Sequence, residues 1–548
     1  MKTTLLSLTG AVLLTGLVGC GQEQDAPISN ASVEADRIKA HMTFLADDTL
    51  KGRDTGSEGY QIAANYVVSQ FKQIGVEPKG DHGSYEQQVT FRKAFLEKDT
   101  AKVSITNSNG SIALVEGEGF IAGGSTARAE TNLSGETVFV GYGIVSEQFG
   151  LNDYEGLDVE GKIVVALSGR PEDIPSEEGA VLGSSSIKYQ AAADAGAIGF
   201  VTIHTPKREK VRSFKVSSRF AYGPRYTWVD KTGKTANTYG DIRGGAYLSH
   251  EAAVALFEGA QMSAEEVFAL DEENKAVKGF ALNASIAIES KSRHEEITSP
   301  NVVGVIEGSD PVLKDEYVVF SAHLDHIGVS THGDHEDKIN NGALDNASGV
   351  STLLETARVF SAMDVKPKRS ILFVVVTGEE KGLLGSSYFA RNPTVPQVQM
   401  VGNVNLDMPL LLYPFADVVA FGATHSTLGP IVEKAAGKIN IGLSPDPMPE
   451  QSLFVRSDHY SFVKEGIPSV FLMTGFKSQD PEIDGGEVFR DFLKNHYHQH
   501  SDELDLPINY DAAARFAEVN FMIGLEIANG DERPQWNQDD FFGKTFAQ

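Results

Sequence analysis

The stretch ILFVVVTGEEKGLLGS, Ile371 to Ser386, runs six apolar residues, Ile371 to Val376, almost directly into two adjacent glutamates. A continuous apolar run of that length, followed by glycine, predicts a strand buried on both faces, as in the sheets of α/β proteins. Neighbouring carboxylates repel, and each costs free energy to desolvate unless a positive group compensates it. Glu379 and Glu380 therefore either mark a solvated loop or stand beside a cation. Three other segments share the texture: EYVVFSAHLDH (316–326), MVGNVNLDMP (400–409) and PSVFLMTGF (468–476). Between the first of these and Ile371, Val350, Leu353, Leu354, Ala357 and Phe360 fall on one helical face after the turn NNGALDNASG (340–349). Buried strands alternating with amphipathic helices predict an α/β fold with a mixed, mostly parallel sheet flanked by helices. Ligands of open α/β sheets bind beyond the carboxyl ends of the strands. Three of the four strands end there in histidine or acidic residues.

Outward from this region the chain changes character. It has 548 residues, too many for one ordinary core. From Ala35 to Val76 the spacing of apolar residues is helical, and from about Ala101 short β-rich pieces with glycine turns take over. After SRHEEITSPNVVGVIEGSD (292–310) the long buried strands begin. The simplest parse is a β-rich insert at 101–290 within an α/β domain formed by 34–100 and 291–536, followed by a tail at 537–548. The first residues carry a basic Lys2, an apolar stretch and a small residue before Cys20, which predicts a secretory signal at 1–19. Leu17-Val18-Gly19-Cys20 resembles a bacterial lipobox, which implies a lipid on Cys20, a tether over 20–33 and a protein anchored to a membrane of the cell envelope, facing the periplasm or exterior. Cys20 is the sole cysteine, so disulfides within the chain, zinc sites built on several cysteines and a thiol nucleophile in the folded body are excluded. A net charge of −28 argues against a nucleic-acid partner, which needs clustered Lys and Arg.

Several residues carry chemistry together that none carries singly. His323 and Asp325 lie two apart at a strand end and can share a face. Asp345 precedes the Val350 helix, where a turn or capping role is ordinary, and Asp407 closes a strand just before Pro409. His496, His498 and His500 stand close together in NHYHQHSDE (495–503). With Glu379 and Glu380 these make a mixed nitrogen and oxygen donor set of the kind that suits zinc and related divalent ions. A pair of ions about 3.5–4 Å apart needs a bridging carboxylate and further ligands for each. The set approaches that requirement and leaves one glutamate over as a base.

SAHLDHIG, NNGALDNASGV, VVVTGEEKGLLGS, NLDMP and YHQHSDE, in this order, resemble the M28 family of co-catalytic zinc peptidases. HMTFLADDTLKGRDTGSEGYQIAANYV (41–67) resembles the helical start of that family, and VFVGYGIVSEQFGLNDYEGLDVEGKIVVAL (138–167) with AGAIGFV resembles its inserted protease-associated domain. The resemblance implies two Zn²⁺ per chain bridged by Asp345, with His323 and Asp407 completing one site and Glu380 and His498 the other. It implies Glu379 as general base toward a water activated by the metals, Asp325 as the partner that orients His323, and Tyr497 as a donor to the tetrahedral intermediate. Family members often have Pro at the position of His500, which leaves His500 open beside His498 as a ligand. His332 and His335 match no family ligand and read as solvated. The implied activity is hydrolysis of the N-terminal bond of peptides. A carboxypeptidase or dipeptidase on the same fold is the alternative, with Arg456 as the cation for a substrate carboxylate, and a non-catalytic peptide-binding protein is a third reading. The chain has no HExxH and no GxSxG.

Overall fold

The computed structural model describes residues 32–220, 223–331 and 335–547. The signal, Cys20, most of the expected tether and His332 lie outside the described residues.

The four predicted strands form as Tyr317–His323, Ser370–Val376, Met400–Asn405 and Ser469–Thr474. Ser370–Val376 lies parallel to Tyr317–His323, which is parallel to Met400–Asn405, which in turn is parallel to Ser469–Thr474. Every residue in the four strands is buried. Alternate side chains explain why the runs are continuously apolar: Ile371, Phe373 and Val375 enter one layer with Phe320 and Phe360, while Leu372, Val374 and Val376 enter the other with Phe389 and Phe462. Each such side chain contributes about 1.5–3 kcal/mol by leaving water, so the strand ends stand on a firm floor. Antiparallel strands flank this centre: Val302–Ile306 pairs with Ser370–Val376, and Asp417–Phe421 pairs with Ser469–Thr474. The sheet is thus mixed and largely parallel. Helices Ala35–Leu45, Ser348–Ser361 and Tyr510–Asn529 pack together, and the predicted stripe Val350, Leu353, Leu354, Ala357 and Phe360 is wholly buried.

The β-rich insert is joined to this sheet by one long strand and by the short strand Arg225–Trp228, which pairs antiparallel with Glu86–Leu96. Phe280–Ile306, 27 residues long, pairs near Ser285–Glu289 with Lys102–Asn107 on one side and Glu130–Phe139 on the other. From Glu130–Phe139 a parallel ladder continues through Ile163–Leu167, Gly199–His204 and Gly245–Ser249. Further along, the same long strand pairs with Glu86–Leu96 and then with Ser370–Val376. The change of texture near residue 290 falls inside this strand. Its burial alternates from Phe280 to Ile288 and becomes continuous from Ser299, because the first part has one face open and the last part is covered on both.

A second joint is electrostatic. Glu177, in the insert helix Ser176–Leu182, accepts from the Gly422 N–H at 3.0 Å and lies 3.1 Å from His425 Nε2. His425 Nδ1 is 2.7 Å from Asp540, which caps the terminal helix Phe541–Phe546. The segment after residue 536 is therefore tied down, with Phe541 and Phe542 buried. Burial alone would lower the His425 pKa, but its hydrogen bonds with Asp540 and Glu177 outweigh burial and raise it to about 10. Burial pushes Glu177 above the ordinary carboxylate range, with His425 opposing it. A histidine pKa raised on folding gives stability that is complete below the unfolded value, about 6.5, and is lost as pH rises toward the folded one. His425→Gln should therefore lower stability by about 2 kcal/mol near pH 6, and its Tm gap to wild type should close between pH 6.5 and about 10. A gap independent of pH in scanning calorimetry would show that His425 is not charged there.

Candidate metal centre

Three of the four central strands deliver site residues at their carboxyl ends. His323 is the last residue of Tyr317–His323, Glu379 and Glu380 follow Ser370–Val376, and Asp407 follows Met400–Asn405. Asp345 lies in the irregular turn Ala343–Ala347, just ahead of helix Ser348–Ser361. His498 arrives from the turn after helix Gly485–Asn495, with a φ of 57°.

Asp345 is the centre of the arrangement. Its Oδ1 is 3.3 Å from His323 Nε2, which is 3.0 Å from Asp407 Oδ1. Its Oδ2 is 3.2 Å from His498 Nε2, which is 3.1 Å from Glu380 Oε2. One carboxylate thus presents a separate oxygen to each of two donor sets. Glu379 stands beside them, its Oε2 3.9 Å from His323 Nε2. Tyr497 stacks on the His498 ring with centroids 3.8 Å apart, and its hydroxyl accepts from Arg456 at 3.1 Å. His500 instead faces His335, which is exposed. Of His498 and His500, it is His498 that the fold brings to Asp345 and Glu380.

The charges are strongly coupled. Burial would lower the pKa of both His323 and His498, but Asp407 and Glu379 raise the first well above its usual value, and Glu380 and Asp345 raise the second to about 10. Asp345 is held well below the usual carboxylate range because the surrounding imidazoles outweigh its burial. Glu379 goes the other way. Burial, supported by Asp407 and Glu380 against the pull of His323, lifts it well above that range.

Asp325 does not orient His323 through its carboxylate. His323 Nδ1 is 3.0 Å from the backbone carbonyl oxygen of Asp325, which fixes that nitrogen as the donor and leaves Nε2 facing Asp345 and Asp407. The Asp325 carboxylate turns instead to the glutamate loop, accepting from the Glu379 N–H at 3.1 Å, from the Glu380 N–H at 3.4 Å and from the Thr55 hydroxyl at 2.9 Å. The strand ends at His323, so the chain bends between the two residues and the same-face rule for strands no longer applies.

The donor set fits a divalent ion. Imidazole nitrogens and carboxylate oxygens are zinc ligands, and His323, Asp345 and Asp407 place one such atom each within 4.8 Å of one another, as do His326, Asp345 and Glu380. Glu380 Oε1 is buried without a hydrogen-bond partner, an unfavourable position that an ion would relieve.

Comparison with known proteins agrees with this chemistry. Residues 301–523 match the sequence profile of Peptidase family M28. The match takes in His323, Asp345, Glu379, Glu380, Asp407 and His498. Aminopeptidase NAALADL1 of Mus musculus is 34% identical over 151 residues, covering 26% of this chain and 18% of that protein. A probable zinc metalloprotease of Pyrenophora teres f. teres (strain 0-1) is 38% identical over 111 residues, covering 20% of this chain and 22% of the other. The chain thus spans about a fifth of the length of these curated relatives. An aminopeptidase from Aneurinibacillus sp. strain AM-1 has the same overall fold, with a TM-score of 0.51 at 18% identity over 92% of this chain and 98% of that one.

Around these donors stand further residues that the sequence analysis did not single out. The buried Asp502 accepts from the Leu344 N–H at 2.9 Å and the Asp345 N–H at 3.0 Å. Ser457 donates to Asp407 Oδ2 at 2.5 Å. Asn346 donates to the carbonyls of His323 and Leu406, and accepts from the N–H groups of Gly349 and Met408. His326, three residues after His323, reaches Glu380. Asp502, Asn346 and His326 lie inside the motifs HSDE, LDNASG and HLDH, and proximity to a ligand was the signal that marked them.

So many buried carboxylates in one place make cation binding a source of stability. A ligand present at a thousandfold its Kd stabilises by about 4 kcal/mol. Zn²⁺ added after exhaustive chelation should therefore raise Tm by several degrees, and Asp345→Asn should remove most of the rise. A Tm unmoved by Zn²⁺ or any other divalent ion would count against the site.

Proposed function

We propose that the M28 domain is a zinc-dependent exopeptidase that binds two ions and releases N-terminal residues from peptides. The observation that carries this reading is the division of Asp345 between two donor sets, His323 with Asp407 and His498 with Glu380, while Glu379 stands beside both. When bound, zinc polarises the scissile carbonyl and lowers the pKa of water. The chain's own residues do the rest. Glu379 takes the proton of the attacking water and passes it to the leaving amine. Asp325 steadies that glutamate by accepting its backbone N–H, so the base is aimed from behind. The Tyr497 hydroxyl, engaged by Arg456, donates toward the oxyanion that develops on the carbonyl. The acidic surroundings favour a substrate with a free α-ammonium group, and the names of the relatives point the same way. The expected signal at 1–19, ahead of Cys20, supports an extracytoplasmic setting.

Two expected outcomes test the reading. Glu379→Gln keeps shape and ligands while losing the base, so kcat should fall on the order of 10²–10⁴-fold with bound metal unchanged. Glu380→Gln should instead lose metal, with activity partly restored by added Zn²⁺. If Glu379→Gln loses metal and Glu380→Gln retains it, the two roles are exchanged. The direction of attack is read with blocked peptides: C-terminal amides should be cleaved and N-acetyl peptides spared. The opposite pattern would favour a carboxypeptidase, with Arg456 beside Tyr497 receiving the substrate carboxylate.

A further inference from the structure

His326 has no role in the scheme above, yet its imidazole lies directly against Glu380. It is wholly buried, and both of its ring nitrogens lack a hydrogen-bond partner. Leaving a buried polar atom unsatisfied costs about 1–3 kcal/mol. The ring is not there by accident of loose packing. Its backbone N–H donates to the Arg53 carbonyl at 3.2 Å, and the residue facing it is Gly342, where a Cβ would lie 2.6 Å from the imidazole ring. His326 Nδ1 is 2.7 Å from Glu380 Oε1 and 3.9 Å from Asp345 Oδ2. Neither Nδ1 nor Glu380 Oε1 has a hydrogen bond of acceptable alignment, so the two atoms are close without satisfying each other. One donor atom each from His326, Asp345 and Glu380 lies within 4.8 Å of the others, which is near enough to share one ion.

We propose that His326 is a protein ligand of the ion held by Asp345, Glu380 and His498, so that this position carries two imidazoles while the His323, Asp345 and Asp407 position carries one. The inference rests on the metallopeptidase reading. It makes the two positions unequal. The set with two imidazoles and two carboxylates should fill first, and it should prefer ions suited to imidazole, such as Zn²⁺ or Co²⁺, over Mg²⁺ and Mn²⁺.

The test uses the full chain, stripped of metal and titrated with Co²⁺, and reads imidazoles per cobalt by X-ray absorption at one equivalent together with affinity by calorimetry. Wild type should show two imidazoles on the first ion. His326→Ala should show one, with first-ion affinity weaker by at least about a hundredfold. One imidazole on the first ion of wild type overturns the proposal whether or not the variant folds. So does a variant that binds more weakly but keeps the wild-type imidazole count, since His326 would then only support Glu380. Wild type that binds no divalent ion at all defeats the metallopeptidase reading itself, an outcome distinct from metal bound through a single imidazole.

Discussion

The site depends on one carboxylate facing two ways. For Asp345 to offer Oδ1 to His323 and Oδ2 to His498, its backbone must be held from several sides at once. Asp502 accepts its N–H and that of Leu344, and Asn346 beside it ties the ends of two strands to the first turn of helix Ser348–Ser361. Gly342 is required just upstream because its φ is 58° and a Cβ there would meet the Asp345 carbonyl oxygen at 2.2 Å. The side chains that touch the donors are thus themselves hydrogen-bonded, which is what fixes ligand geometry to a fraction of an ångström.

Packing Asp345, Asp407, Glu379 and Glu380 together calls for positive charge, and the first fifty-odd residues supply some of it. Arg53 is buried and donates to the carbonyls of Leu324, Leu45, Asn341 and Gly342, so a single guanidinium joins the segment after His323 to the turn before Asp345. Burial lowers its pKa to about 10, with Asp502, Asp345, Asp325 and Glu380 opposing the fall, so it stays charged at neutral pH. Its neighbour Asp54 pairs with Lys381 at 2.7 Å, directly after the two glutamates. The N-terminal helical segment is therefore held against the site for an electrostatic reason as well as a packing one.

What was legible in the sequence follows from how local each requirement is. Buried parallel strands need continuous apolar runs, and donors at their ends need His, Asp or Glu, so His323, Glu379, Glu380 and Asp407 stand out in the sequence itself. Asp502 stands near His498 in the sequence, but it serves a residue 157 positions away, and its own surroundings do not say which backbone it holds. Arg53 carries no local signal of burial, since arginine is seldom fully buried. The role of Asp325 depended on how the chain bends after the strand, which spacing does not encode. His326 sits within a motif already singled out, but a buried histidine and a metal ligand look alike until the partners of its nitrogens are known.

The same distinction between local and distant requirements explains the joint with the insert. Composition changes near residue 290, yet Phe280–Ile306 continues through it with ladder hydrogen bonds in both sheets. Displacing the insert against the peptidase sheet would break those bonds and part Glu177 from His425. A cavity of about 910 Å³ between the two is lined by Arg170, Lys188 and Arg208 of the insert and by Pro449 and Val455 from the other side. Val455 precedes Arg456, whose guanidinium engages Tyr497 over the ring of His498. The wall of the cavity and the metal donors are consequently linked through a short chain of direct contacts, and the insert meets that wall through helix Ser176–Leu182, which packs against Leu453–Val455 just ahead of Arg456.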